Sequence, residues 1–187
     1  MKKSLFIGLV ALMSVLTTGM NAAERGKFIH VDNTTAKNLK PQIAFAQDRK
    51  DGTDITTLLV KTVNVNAYNE FTDASRVLIR FADGKAVRLN KAAVDIQKNK
   101  YTKKNGNATI SYYETTTSYE VTPEVIEKLE AGIAIIKVRI VFKENEAKDY
   151  DIVEGYQAKM ASDLLKSYQE AVLNNRKNNS DLSDEDF

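Results

Sequence analysis

The 187-residue chain has one histidine, His30, and no cysteine. Thiolate nucleophiles, cysteine-ligated zinc and two-histidine metal sites all need residue types this chain lacks. A serine nucleophile needs a base, and there is neither a G-x-S-x-G turn nor a recognisable partner for His30, which reads as a strand or terminal residue. The chain has 25 Asp and Glu residues, so its inventory is compatible with a glycosidase-like acid pair. Such a pair is defined by its separation and by surroundings that split its two pKa values, and no two of these acids are singled out; the plain reading is solvated surface carboxylates. Asp48-Arg49-Lys50-Asp51-Gly52-Thr53-Asp54 has the acidic look of a calcium loop. However, Lys50 stands where an oxygen ligand belongs and no Glu closes the loop, so it reads as a polar turn. No Gly-rich phosphate loop follows a strand, and nothing points to nucleotide use. No catalytic, cofactor-binding or metal residue is assigned, and no cofactor is expected.

One basic cluster stands out: Lys98, Lys100, Lys103 and Lys104 around Tyr101. It offers a surface for an anionic glycan or lipid. It also fits the solvated flanks of an Asn105-Gly106 hairpin, where edge lysines discourage strand-to-strand aggregation. The whole chain carries a formal charge of +2 from 27 basic and 25 acidic residues. Losing Lys2 and Lys3 with a leader makes the two counts equal. No overall field then favours nucleic acid, and no basic stripe interleaved with aromatics runs along a predicted helix or strand.

Residues 1–22 read as a signal peptide: a basic start at Lys2-Lys3, an apolar run over 5–16, and small residues at Ala22-Ala23 for cleavage. The run is diluted by Thr17, Thr18 and Asn21 before it reaches the roughly 20 apolar residues that a membrane span needs. The expectation is an exported chain, periplasmic or secreted, with no membrane insertion once the leader is removed. About 165 residues remain, enough for one domain burying roughly 70% of its unfolded surface. The predicted layout is one globular α+β domain over residues 23–174 and a disordered acidic tail over 175–187, where Asp181, Asp184, Glu185 and Asp186 accumulate.

Residues 118–142 organise the fold as strand, short helix, strand. Thr122 can cap a helix over 123–131, Pro123 suits its first position, and Gly132 can take the left-handed conformation that ends it. Val121 and Ile126 are placed as a hydrophobic staple. Beyond the helix, Ile136, Val138, Ile140 and Phe142 alternate with Lys137 and Arg139 as a strand with one buried face. Residues 28–31 and 43–46 are short apolar patches that suit two short strands. In 58–67, Leu59, Val63, Val65 and Ala67 share a face, with Leu58 and Val60 breaking the alternation.

The hairpin over residues 77–89 has a countable register. A two-residue turn at Asp83-Gly84 sets Ile79 opposite Arg88 and mixes charge into the apolar face, whereas a three-residue loop of Ala82, Asp83 and Gly84 pairs Ile79 with Val87 and Val77 with Leu89. The three-residue loop is the prediction. Asn105-Gly106 predicts a second hairpin with Tyr101 opposite Ile110 and a bulge or break near Lys98. Tyr150 and Ile152 alternate with Asp149 and Asp151 as a return strand. Tyr156, Met160, Leu164, Tyr168 and Val172, widened by Ala161 and Leu165, form the apolar stripe of a long helix over about 155–174.

The fold expected is therefore α+β: an antiparallel sheet of about six to eight strands, curved or sandwich-like, with both helices packed on it. The run from Tyr119 to Gly132 (YEVTPEVIEKLEAG), followed by Lys137-Val138-Arg139-Ile140 and a closing helix around Leu164 and Tyr168, resembles small exported bacterial proteins of unknown function. The resemblance covers the C-terminal half. It implies an antiparallel sheet carrying a helix and brings no catalytic residues. The functional expectation is an exported, non-catalytic binding or structural module of the bacterial cell envelope, its partner an envelope protein or glycan. The alternatives are a secreted enzyme inhibitor presenting residues 98–107 to an enzyme cleft, or a carboxylate-dependent hydrolase with two buried acids in one pocket.

Overall fold

In the computed structural model, which describes residues 25–31, 40–92, 96–105 and 107–181, the chain builds two antiparallel sheets and two helices. The elements are β1 (Ile29–His30), β2 (Gln42–Lys50), β3 (Thr53–Asn64), β4 (Arg76–Phe81), β5 (Ala86–Asn90), β6 (Gln97–Asn105), β7 (Ala108–Glu120), α1 (Pro123–Glu130), β8 (Ile135–Lys143), β9 (Glu146–Asp151) and α2 (Glu154–Asp181). One sheet has the order β1-β2-β3-β7-β6 and the other β5-β4-β8-β9, an α+β arrangement as expected. The leader segment and residues 182–187 lie outside the described residues.

Local chemistry explains the turns. Asp51 and Gly52 both have left-handed backbone, φ 52° and 77°, between the paired Lys50 and Thr53, so the former calcium-loop candidate is a two-residue hairpin turn. The β4–β5 hairpin has the predicted three-residue loop: Val77 pairs with Leu89, Ile79 with Val87, and Gly84 has φ 84°. Helix α1 ends as Gly132 permits. The Gly132 N–H donates to Leu129 O at 3.0 Å and the Ile133 N–H to Lys128 O at 3.0 Å, the double bond of a Schellman close. At its start Thr122 holds the cap position in extended backbone, but its side chain makes no capping bond; Pro123 and the Val125 N–H bond to Thr122 O shape that end instead.

Three expectations are corrected. The β6–β7 ladder pairs Asn105 with Ala108 and Tyr101 with Tyr112, not with Ile110, and runs from Gln97 to Asn105 without a register shift at Lys98. The alternative registers differ by two residues, which leaves every side chain on the same face. Face polarity therefore cannot choose between them, and the stacking of Tyr101 on Tyr112 accompanies the one adopted. Second, the core face of β3 is formed by Leu58 and Val60, both fully buried, while Val65 lies beyond the strand and is exposed. This stretch is covered on both faces, for Leu59 is buried too, so alternation disappears. Third, residues 175–181 are not a disordered tail but the last turns of α2. Asn175 is buried there, its amide donating to Gln47 Oε1 and Asp54 Oδ1, both at 3.2 Å.

Both sheets and both helices contribute to one buried cluster, in which Phe45, Leu58 and Tyr119 of the first sheet join Ile79, Leu89 and Ile140 of the second. The chain itself ties the sheets together. Beyond β5, Lys91 bridges Tyr119 and the Ala92 N–H donates to Ser118 O, so one extended segment passes from the edge of one sheet to the end of β7 in the other. Helix α2 lies mainly on β2 and also reaches β8. Met160 and Leu164 are fully buried, each worth about 1.5–3 kcal/mol of apolar transfer. Residues four apart advance about 40° around a 3.6-residue helix, so the buried stripe drifts from Met160 and Leu164 to Ser167, Ala171 and Asn175, leaving Tyr168 and Val172 at its margin. Ser167 makes the closest approach: its hydroxyl accepts the Phe45 N–H at 3.1 Å, and its carbonyl oxygen would lie 1.9 Å from any Cβ at position 26, which only Gly26 avoids.

Candidate binding surface

Strand β6 supplies lysines at short intervals and β7 supplies tyrosines, and their register interleaves the two. On one face of the hairpin Lys100 is the cross-strand partner of Tyr113, and Lys98 sits one pair further along. The loop after β3 adds Tyr68, whose ring meets Tyr113 edge-on at 5.1 Å. The Lys98 ammonium lies 5.5 Å from the Tyr68 ring centre and that of Lys100 5.1 Å from Tyr113. On the opposite face Tyr101 and Tyr112 stack at 5.3 Å with 12° between their planes, and Lys103 lies over both rings, at 5.5 and 5.8 Å. Lys104 is exposed toward the tip.

Each such contact contributes about 0.5–1 kcal/mol at an exposed site and restricts a long side chain that would otherwise wander. The ammonium groups are thereby held in place. Burial, with help from Glu114 and Tyr112, raises the Tyr101 pKa, so the Tyr101 ring stays uncharged over the physiological range. Among the described residues the ion pairs include none made by Lys98, Lys100 or Lys103. Edge protection alone asks only for charge on β6; it does not ask for rings beneath that charge.

The other candidates disperse. His30 sits in the short edge strand β1, with Gln42 Nε2 at 3.2 Å from its Nε2, and its backbone carbonyl accepts the Tyr156 hydroxyl at 3.3 Å. The carboxylates are engaged at the surface: Asp149 with Arg139 and Lys137, Asp151 with Lys137, Asp163 with Lys159. Among the described residues the buried polar side chains include no Asp or Glu, and no cluster of three His, Cys, Asp or Glu residues is placed to hold a metal. Also among the described residues, no helix is long and apolar enough to cross a membrane.

Neither a family model, nor a curated protein, nor a solved structure matches the chain. The surface must be read on its own chemistry. Sequence alone brought Lys98, Lys100, Lys103, Lys104 and Tyr101 together but missed Tyr68, Tyr112 and Tyr113. A basic stripe with aromatics is visible in sequence only along a single segment, whereas here the rings come from the neighbouring strand and a loop. The pairing of Lys100 with Tyr113 and of Tyr101 with Tyr112 depends on the hairpin register, which side-chain polarity does not determine.

Proposed function

We propose that this chain is an exported, non-catalytic binding module of the bacterial cell envelope, and that the β6–β7 hairpin holds an acidic glycan. The observation that carries the reading is the set of three lysine ammonium groups over four tyrosine rings, Lys98 and Lys100 on one face of the hairpin and Lys103 on the other, with no carboxylate in ion-pair contact among the described residues. A polyanion with apolar ring faces suits both halves of that surface: carboxylates or sulfates meet the ammonium groups, and sugar rings lie on tyrosine. Successive same-face lysines on a strand stand about 7 Å apart, which suits a repeating charge more than a single one. The leader and the resemblance to small exported bacterial proteins support the envelope location. The single histidine, the lack of cysteine and the surface ion pairs of Asp149, Asp151 and Asp163 support a role without catalysis.

The test is a binding titration with polygalacturonate, run beside a neutral glucan, anionic lipid vesicles and double-stranded DNA. Polygalacturonate is expected to bind, more weakly as salt rises. The triple substitution Lys98→Gln, Lys100→Gln, Lys103→Gln should weaken binding at least about tenfold, which is roughly 1.4 kcal/mol, with the fold retained by circular dichroism. Equal binding to vesicles or DNA, or full binding by the triple variant, would sink the glycan reading. Recovery of a protease or lytic enzyme through the same hairpin would favour the inhibitor alternative.

A further inference from the structure

One face of the first sheet can be followed outward from the core. Along β3 and β7 the cross-strand pairs run from Val60 with Thr117, through Thr62 with Thr115, to Asn64 with Tyr113. The first two pairs are buried and the third is half-exposed. Where this face leaves the cover of the second sheet, a cleft of about 160 Å³ opens. Thr62, Asn64 and Asn69 line one wall, and Phe142, Lys148 and Tyr150 the other. The near wall is braced: the Asn69 amide donates to Thr62 Oγ1 at 2.9 Å and Thr115 Oγ1 donates to Asn69 O at 3.5 Å. Asn64 is the direct partner of Tyr113, and Tyr113 of Lys100, so the cleft and the Tyr68–Tyr113 pair with its two lysines form one continuous surface.

We propose that this cleft is the subsite for the terminal unit of the glycan, a single uronic-acid ring. The inference rests on the glycan reading of the hairpin and adds the ligand's end to it. The side-chain amides of Asn64 and Asn69 bring donors and acceptors together on one wall, which matches the mixed donor and acceptor character of sugar hydroxyls. The only charged lining residue among those described is Lys148, and no carboxylate lines the cleft, so the favoured ring carries a negative group. The volume is well below the roughly 300 Å³ at which pockets begin to hold drug-sized ligands, so the occupant is one ring at most. Pro41, Thr62 and Phe142, all buried, close the inner end, which makes the occupant a chain end. The remainder of the glycan leaves past Tyr113 and Lys100.

The side-chain amide signals of Asn64 and Asn69 in isotope-labelled protein report on the cleft directly. Titrated with free glucuronic acid they should shift saturably. Glucose, which has the ring without the charge, and acetate, which has the charge without the ring, should need at least about tenfold higher concentration. Lys148→Gln, an exposed position, should weaken glucuronic acid about tenfold and leave glucose unchanged. Amides that stay silent, acetate as effective as glucuronic acid, or a Lys148→Gln variant that binds normally would each overturn the subsite. The hairpin reading fails separately. If polygalacturonate binding is lost in the triple lysine variant while the two amides stay silent, only the subsite falls. A saturable monosaccharide shift without any polymer binding removes the hairpin and, with it, the assignment of the cleft to a chain end.

Discussion

Two groups of lysines lie over aromatic rings in this molecule, and they differ in what stands beside the charge. Lys128 of α1 lies 5.5 Å from the Phe81 ring centre and pairs with Asp83 of the β4–β5 loop and with Glu124 at 3.7 Å. Lys61 of β3 lies 4.1 Å from Phe28 and 3.8 Å from Glu114. In these two the chain supplies both the ring and the counter-charge, so the contact is complete within the fold. Lys98, Lys100 and Lys103 have the rings alone among the described residues. The ring contact is common to both groups; the built-in carboxylate separates a structural fastening from a surface able to take an external anion. Desolvation lowers the Lys61 pKa, and Glu114 only partly offsets it. A carboxylate near a half-buried ammonium is therefore a requirement of burial, which the solvated hairpin lysines do not share.

The comparison breaks if removing a lysine costs the same in both groups. Lys128→Ala should lower the thermal midpoint by several degrees, because it strips packing from buried Phe81 and leaves Asp83 and Glu124 without their cation. Lys100→Ala should cost no more than about 1 kcal/mol, the worth of one exposed ring contact. Thermal melts of the two variants at neutral pH decide the matter, and equal losses would mean that the hairpin lysines are fastenings too.

This distinction was not legible in the amino-acid order, although much of the framework was. The β4–β5 register could be counted because the wrong alternative pairs Arg88 with Ile79. The close of α1 could be placed because Gly132 is the residue able to take φ 70° there. The β6–β7 register escaped because its two candidates keep every side chain on the same face. With it went the meeting of Lys100 with Tyr113 and of Tyr101 with Tyr112. Tyr68 is forty-five residues from Tyr113 and reaches it only through the path of the loop after β3. The end of α2 was misplaced for a related reason: Ser167 and Asn175 are buried polar residues, satisfied by Phe45 N–H and by Gln47 and Asp54, and hydrophobic periodicity does not register such positions.

A third kind of aromatic sharpens the contrast. Tyr119 is fully buried, its hydroxyl has no hydrogen-bond partner among the described residues, and burial pushes its pKa well above the ordinary phenol value. A hydroxyl held without a partner carries its desolvation penalty unrelieved, so Tyr119→Phe should stabilise the protein by about 1 kcal/mol, or roughly 2–4 °C in thermal midpoint. Tyr112→Phe, at a ring whose contact is with Lys103 and Tyr101, should change little. A loss of stability in Tyr119→Phe would show that the buried phenol is engaged, and that aromatic polar tips do structural work in the core as well as at the surface.

The smallest effect isolates the carboxylate itself. The Lys128 ammonium donates to Asp83, and with the Lys85 N–H bond at 3.0 Å it holds the Asp83 carboxyl below its ordinary value of 3.8. Asp83 in turn raises Lys128 above 10.5. A depressed carboxyl stabilises the fold above its unfolded pKa, and that contribution disappears as pH falls through the folded value. A raised ammonium stabilises below its unfolded pKa, and that contribution disappears as pH rises through its folded value. The pair is therefore at full strength between about pH 5 and 9. Asp83→Asn keeps an acceptor for the Lys85 N–H and removes only the charge. Its deficit relative to the parent should be greatest at neutral pH and should close as pH drops below the carboxyl range, a convergence that parallel thermal melts in acid will show. The triple hairpin variant has lost no internal pair, so its melting curve should run alongside the parent's throughout the same range. If it converged as Asp83→Asn does, the hairpin lysines would have a carboxylate of their own, and the surface would be closed to an external anion.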